Sequence, residues 1–172
     1  MRKITVVLCG LFLGMVILSQ AAQAAEKFAY VELSRLFSDY NKTKDYYKVL
    51  SEKEDSYNSE KEKKINDFKA MTDKLNLLSD KEKEAKRSDL ESKAKAVQEW
   101  DMQKRMDLRK DEDERTKEIL KDIEDTVAKY AQKEGITFVF LDRVLIYQTK
   151  SYDITDKILD ILNKGYTPKK GK

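Results

Sequence analysis

The sequence has no histidine, one cysteine, one proline and five glycines in 172 residues. Each shortage removes a kind of chemistry. Without histidine there is no Ser-His-Asp or Cys-His relay, no HExxH zinc site and no Cys/His finger. The few glycines form no GxGxxG or GxxxxGK[ST] loop, so the backbone cradles that hold nucleotide phosphates are missing. What the chain has in quantity is charge: 35 basic and 32 acidic residues, 39% of the total. With a mean hydropathy of -0.73, this composition favours long solvated helices over a large apolar core.

The N-terminus has its own character. Arg2 and Lys3 precede an apolar run from Ile4 to Leu18, and Ala22-Gln23-Ala24 follows as a small-residue cleavage signal. That order is the pattern of a secretory signal peptide, residues 1–24. The alternative is a retained membrane anchor, but the apolar run is shorter than the ~20 residues that span a bilayer. Cleavage takes away Arg2, Lys3, Cys9 and no acid, leaving 148 residues with 33 bases and 32 acids. The mature chain then has no thiol, and its net charge of +1 gives little attraction to anions.

Composition divides the mature chain into three parts. Phe28-Ala29-Tyr30-Val31 is a short β-like run ending near Leu33. From Asn41 to Glu134 there is no glycine or proline, and 24 bases and 25 acids share 94 residues. Helix is the regular state that suits such a block. Asn41 reads as a cap at its start, although Asn41-Lys42-Thr43 also matches the glycosylation sequon. Beyond Gly135, Ile136 to Leu141 and Val144 to Tyr147 are two β-like runs, and Asp142-Arg143 between them predicts a hairpin. Asp153-Ile154-Thr155-Asp156 then predicts an N-cap for a short helix carrying Ile158, Leu159, Ile161 and Leu162, ended by Gly165 and Pro168.

A single helix over the central block would extend ~140 Å at 1.5 Å per residue. Ser79 and Glu82 offer a capping box that restarts a helix, so a hairpin with its turn near 78–80 is predicted over a continuous rod. Leu50, Tyr57, Phe68, Met71, Leu75 and Leu78 form the seam of the first limb. Leu90, Ala94, Val97, Leu108, Ile119, Ile123, Val127 and Tyr130 form that of the second. Glu54, Lys61, Lys64, Asp101, Lys104, Asp111 and Arg115 interrupt it at positions a heptad would make apolar. Trp100, Met102 and Met106 read as apolar groups off the seam. An arm that cannot bury everything it carries presents a diffuse apolar lining. At the other end, Phe28, Tyr30, Phe138, Phe140, Ile146 and Tyr147 are too much apolar surface for so small a sheet, which predicts self-association.

The order of a signal peptide, KFAYVELSRLFSDY, a charged helical hairpin and KEGITFVFLDRVLIYQTKSYDITDKILDIL resembles the Skp/OmpH family of bacterial periplasmic chaperones. The strand leading into Leu36-Phe37, the Gly135-Ile136 turn and Asp153-Ile154-Thr155 before an amphipathic helix carry the resemblance. It implies an α+β homotrimer: a small β-barrel-like trimerisation body with long α-helical, coiled-coil-like hairpins as tentacles. The body takes residues 25–40 and 135–172, with Phe28, Tyr30, Leu33, Phe138, Phe140, Ile146, Tyr147, Ile154 and Ile158 at its centre. The arm takes 41–134. A cavity between the arms holds unfolded outer-membrane β-barrel proteins in the periplasm without ATP. Tyr57, Phe68, Met71, Leu75, Leu78, Val97, Trp100, Met102 and Met106 are the expected client-binding lining. No catalytic residue, metal or cofactor is expected. The arm departs from the strongly basic tentacles of well-known members, so contact with anionic lipid or lipopolysaccharide is expected to be weak.

Three other readings have less support. A coiled-coil envelope scaffold predicts a stiff rod and one defined partner. Nucleic-acid binding needs a net basic face, which a secreted chain of near-zero charge lacks. An enzyme needs a pocket around its acid pairs, and the many carboxylates here read as solvated helix surface.

Overall fold

The computed structural model describes residues 26–168, and the expected signal peptide lies outside them. Strand β1 (Phe28–Val31) is followed by a short helix α1 (Leu33–Asp39) and two long helices, α2 (Asn41–Asn76) and α3 (Asp80–Glu134). Strand β2 (Phe138–Leu141), two 3-10 turns and helix α4 (Thr155–Gly165) complete the order. The architecture is mostly helical, with two long helices and a small sheet.

The sheet is built by partners far apart in the chain. β1 pairs with β2 in parallel, Phe28 opposite Phe138 and Val31 opposite Leu141. A parallel pair needs a crossover connection, and here the long hairpin is that crossover. On its other edge β1 makes a single bridge, Tyr30 to Asp153, and the Ile154 N–H donates to the Tyr30 carbonyl at 3.1 Å. The Asp153 carboxylate accepts the Thr155 N–H at 2.8 Å and so opens α4. The Thr155 hydroxyl accepts the Glu32 N–H at 2.9 Å, tying the end of β1 to the same helix start.

The ends of the long helices follow their local chemistry. At the far end of the hairpin the Ser79 N–H donates to Glu82 at 3.1 Å, closing a capping box. The hydrogen bonds from Ser79 hold the Glu82 carboxyl below its ordinary range. At 1.5 Å per residue α2 spans ~54 Å and α3 ~82 Å. α3 stops at Gly135, which takes φ 64 and lets the Ile136 N–H reach the Ala131 carbonyl at 2.9 Å. Glycine adopts that left-handed conformation without a Cβ clash.

The core lies where α1, α4 and the base of the hairpin meet one face of the sheet. Leu36, Ile119 and Ile158 are wholly buried there, with Val31, Tyr46, Leu50, Ile123, Ile154 and Leu162 around them. Full burial of each aliphatic side chain stabilises the fold by about 1.5–3 kcal/mol.

The structure corrects three expectations. Val144 to Tyr147 is no strand, and no hairpin joins it to β2; Asp142–Val144 is a 3-10 turn. Asp142-Arg143 lacks the Asn-Gly type residues that a two-residue hairpin turn needs, and β2 finds its partner in β1 instead. Within one chain the sheet is open and two-stranded. Leu33 to Asp39, inside a stretch expected to be β-rich, is helical because Leu33, Leu36 and Phe37 recur at helical spacing against the core. Asn41 does not cap α2: Tyr40 occupies that position, and Asn163 of α4 accepts the Asn41 N–H at 2.8 Å.

Two substitutions test this account by urea unfolding. Ile158→Ala should lower stability by about 2–5 kcal/mol through the cavity it leaves. Gly135→Ala should cost about 1 kcal/mol, because nothing crowds the site and only its φ resists a side chain. A larger loss at Gly135 than at Ile158 would contradict the placement of the core.

Candidate functional site: the helical arm and an aromatic face

The arm changes character from base to tip. At the base, Thr43, Tyr46 and Leu50 of α2 are buried against Ile119 and Ile123 of α3. Lys42 reaches Glu118 at 2.7 Å and Asp122 at 2.6 Å. Burial pulls the Lys42 pKa down, but the hydrogen bonds to Asp122 and Glu118 outweigh it and leave it raised. Burial pushes the Tyr46 hydroxyl up to about 12. Between Ser51 and Glu118, in contrast, no residue is fully buried.

The middle of the arm is held by a mixed aromatic and ionic cluster. The Tyr57 ring stacks on Trp100 with centroids 5.8 Å apart. The Tyr57 hydroxyl donates to Asp101 at 2.6 Å, and Lys61 and Arg105 reach the same carboxylate at 2.9 and 2.8 Å. Lys64 lies over the Trp100 ring at 4.9 Å, a favourable cation–π position. The Asp101 side chain is only 16% exposed, and the Tyr57 and Lys61 hydrogen bonds hold its carboxyl below the ordinary 3.8. Nearer the base, Lys53 and Asp111 pair at 2.7 Å. Several charges that interrupt the apolar seam in sequence thus find partners across it.

Beyond this cluster the helices meet loosely. Phe68, Met71, Leu75 and Leu78 face Leu90 and Val97, all half-buried. Two clefts open between them. One, of ≈ 220 Å³, is lined by Phe68, Met71 and Val97 with Lys64 and Lys93. The other, of ≈ 470 Å³, is lined by Met71, Leu75, Leu78 and Leu90 with Lys74, Lys86 and Lys93 at its rim.

Seven of the nine residues expected to line the arm therefore lie along the seam: Tyr57, Phe68, Met71, Leu75, Leu78, Val97 and Trp100. Trp100 is a correction, since its position among charges suggested a place off the seam; stacking on Tyr57 decides otherwise. Met102 and Met106 are exposed, 56% and 58%, one turn apart on α3. Sequence reasoning passed over Leu77, 87% exposed at the tip, and Tyr47 and Val49 near the base. The Leu77-Leu78 doublet was the available signal, because a helix seam takes only one of two adjacent residues.

The second exposed apolar surface is on the sheet. Register places Phe28, Phe138 and Phe140 on one face, with centroids 5.8 to 6.4 Å apart, and all three are exposed. Tyr30 is buried, Leu33 packs against the core, and Ile154 and Ile158 belong to it. Ile146 and Tyr147, after the 3-10 turn, are exposed with nothing of their own chain over them. Among the described residues no group of acids, cysteines or histidines could hold a metal ion, and no helix is long and apolar enough to cross a membrane.

A long, loosely seamed helical hairpin on a small packed body defines the class. The family of OmpH-like outer membrane proteins matches residues 27–162, and the chain belongs to that family. It is 30% identical over 157 residues to the chaperone protein Skp of Pectobacterium atrosepticum, covering 88% of this chain and 95% of the relative. The fold is shared with an OmpH-like outer membrane chaperone from Caulobacter crescentus CB15, with a TM-score of 0.74 over 83% of this chain and 87% of that one, at 14% identity.

The Asp101 cluster generates a pH prediction. A carboxylate whose folded pKa is depressed adds stability above its unfolded value and loses it as pH falls through the folded one. Asp101→Asn should therefore lower the thermal midpoint relative to the parent protein at pH 5 to 7. The gap should close as pH falls below 3.8. A gap that persists at pH 2 would assign the effect to packing.

Proposed function

We propose that the protein is an ATP-independent holdase chaperone of the periplasm, which keeps unfolded outer-membrane β-barrel proteins from aggregating before they insert. The observation that carries the reading is the arm between Ser51 and Glu118, where apolar side chains stand half-exposed and none is fully buried. Membership in the OmpH-like family and the likeness to a chaperone support it. An unfolded β-barrel chain exposes alternating apolar faces and unpaired strands. Holding it needs many weak, interchangeable contacts and no bond chemistry. Tyr57, Phe68, Met71, Leu75, Leu78, Val97, Trp100, Met102 and Met106 supply these, while paired charges keep the complex soluble. The client leaves when membrane insertion offers a larger free-energy gain.

The working form in this reading is a homotrimer. Self-association covers Phe28, Phe138, Phe140, Ile146 and Tyr147 and completes the open sheet of one chain into a barrel-like body. The two ends of the mature chain, 25–40 and 135–172, make that body, and the hairpin 41–134 projects from it as a tentacle. Export by a cleaved signal peptide, residues 1–24, brings the chain to the periplasm. Contact with anionic lipid or lipopolysaccharide is weak, since the arm carries a net charge of −1 over 41–134.

Two measurements test this. Light scattering is followed as a urea-unfolded outer-membrane β-barrel is diluted with and without the mature protein. Suppression near one oligomer per client is expected, persisting in 1 M salt, where the screening length is about 3 Å. No suppression at any ratio would favour the envelope scaffold. Phe138→Glu, which puts a charge on the aromatic face, should shift sedimentation equilibrium from trimer to monomer with the helical circular dichroism kept. A trimer unaffected by this change would remove the aromatic face from the interface.

A further inference from the structure

Cys9 lies in the segment expected to be removed, and residues 26–168 contain no cysteine. Methionine is then the softest oxidisable side chain in the working protein. Its distribution is uneven. Met71, Met102 and Met106 all lie on the arm, and none stands in the packed body. Met102 and Met106 are neighbours at i and i+4, open to solvent on α3, whereas Met71 is half-buried and lines both distal clefts. Arg109 and Lys110 follow Met106 one turn on, where their donors can meet a new oxygen acceptor.

We propose that Met102 and Met106 form a paired oxidation site, at which hydrogen peroxide or hypochlorous acid switches down the arm's hold on apolar chains. The methionine sulfur attacks one peroxide oxygen. The O–O bond breaks as the S–O bond forms, sulfur gives up two electrons, and the second oxygen leaves as water once the proton has transferred. With hypochlorous acid the O–Cl bond breaks, chloride leaves and the hydroxyl proton passes to solvent. Each sulfoxide replaces a flexible apolar group by a polar one. Neither residue supports the core, so the fold survives. Both are open to the reductases that reverse the reaction.

The functional half of this inference rests on the holdase reading, and the chemical half does not. The mature oligomer is treated with graded hydrogen peroxide and digested, and sulfoxide at each methionine is quantified by mass spectrometry. Met102 and Met106 should oxidise at least about threefold faster than Met71, with the helical circular dichroism unchanged. The protein concentration that halves scattering of a diluted β-barrel should rise about threefold, then return after treatment with the two reductases, one for each sulfoxide epimer. In M102L/M106L, peroxide should leave that concentration where it stood before treatment, whatever its starting value. Oxidation of Met71 as fast as the pair overturns the site. Equal holding by the doubly oxidised and reduced proteins overturns the switch. If the reduced protein holds no client, the holdase reading and the switch both fall, while the order of oxidation still decides the site.

Discussion

The parallel pairing of β1 with β2 governs how the rest of the chain can be arranged. Two strands of four residues each are joined by everything from Glu32 to Thr137, because parallel neighbours cannot be linked by a tight turn. A flexible connection of that length would be costly to close. Here most of it is stiffened into two long helices that return to their starting point, so the ends of the arm arrive together. The body packs around that junction: Leu36 precedes the arm, Ile119 and Ile123 end it, and Ile158 follows it.

The arm keeps its register without closing its seam. A coiled coil normally aligns its helices by burying apolar knobs. This hairpin does so firmly only at its base. Further out, Lys53 with Asp111, Lys61 with Asp101 and Tyr57 on Trp100 hold the helices opposite each other. Exposed ion pairs contribute little stability, but they fix alignment while leaving Phe68, Met71 and Leu75 only half covered. Register and half-covered apolar surface are thereby assigned to different residues along one helix pair.

Most local signals in the sequence read well, the Asn41 cap aside, and long-range ones did not. The absence of glycine and proline from 41 to 134, the Ser79–Glu82 box and the Asp153–Thr155 helix start are short-range patterns, and each appears in the structure. The direction of strand pairing is different, because Phe138 to Leu141 chooses between the next run and a strand far upstream. Its aromatic and β-branched content is compatible with both. Trp100 failed for a related reason: beside Asp101 and Lys104 it looks solvated, and only Tyr57, on the opposite helix, reveals that it faces inward. The seam residues were legible by period, whereas the degree of their cover depends on how closely two charged helices approach.

The connection between β1 and β2 also sets an order of events during synthesis. β1 leaves the ribosome ahead of the arm and has no partner until the whole arm and Gly135 have followed it. The core is deferred as well, since Leu36 waits for Ile119 and then for Ile158. The stacked face of Phe28, Phe138 and Phe140 cannot exist on an unfinished chain. Copies truncated before β2 thus lack that face, which forms only on chains whose arms are already made.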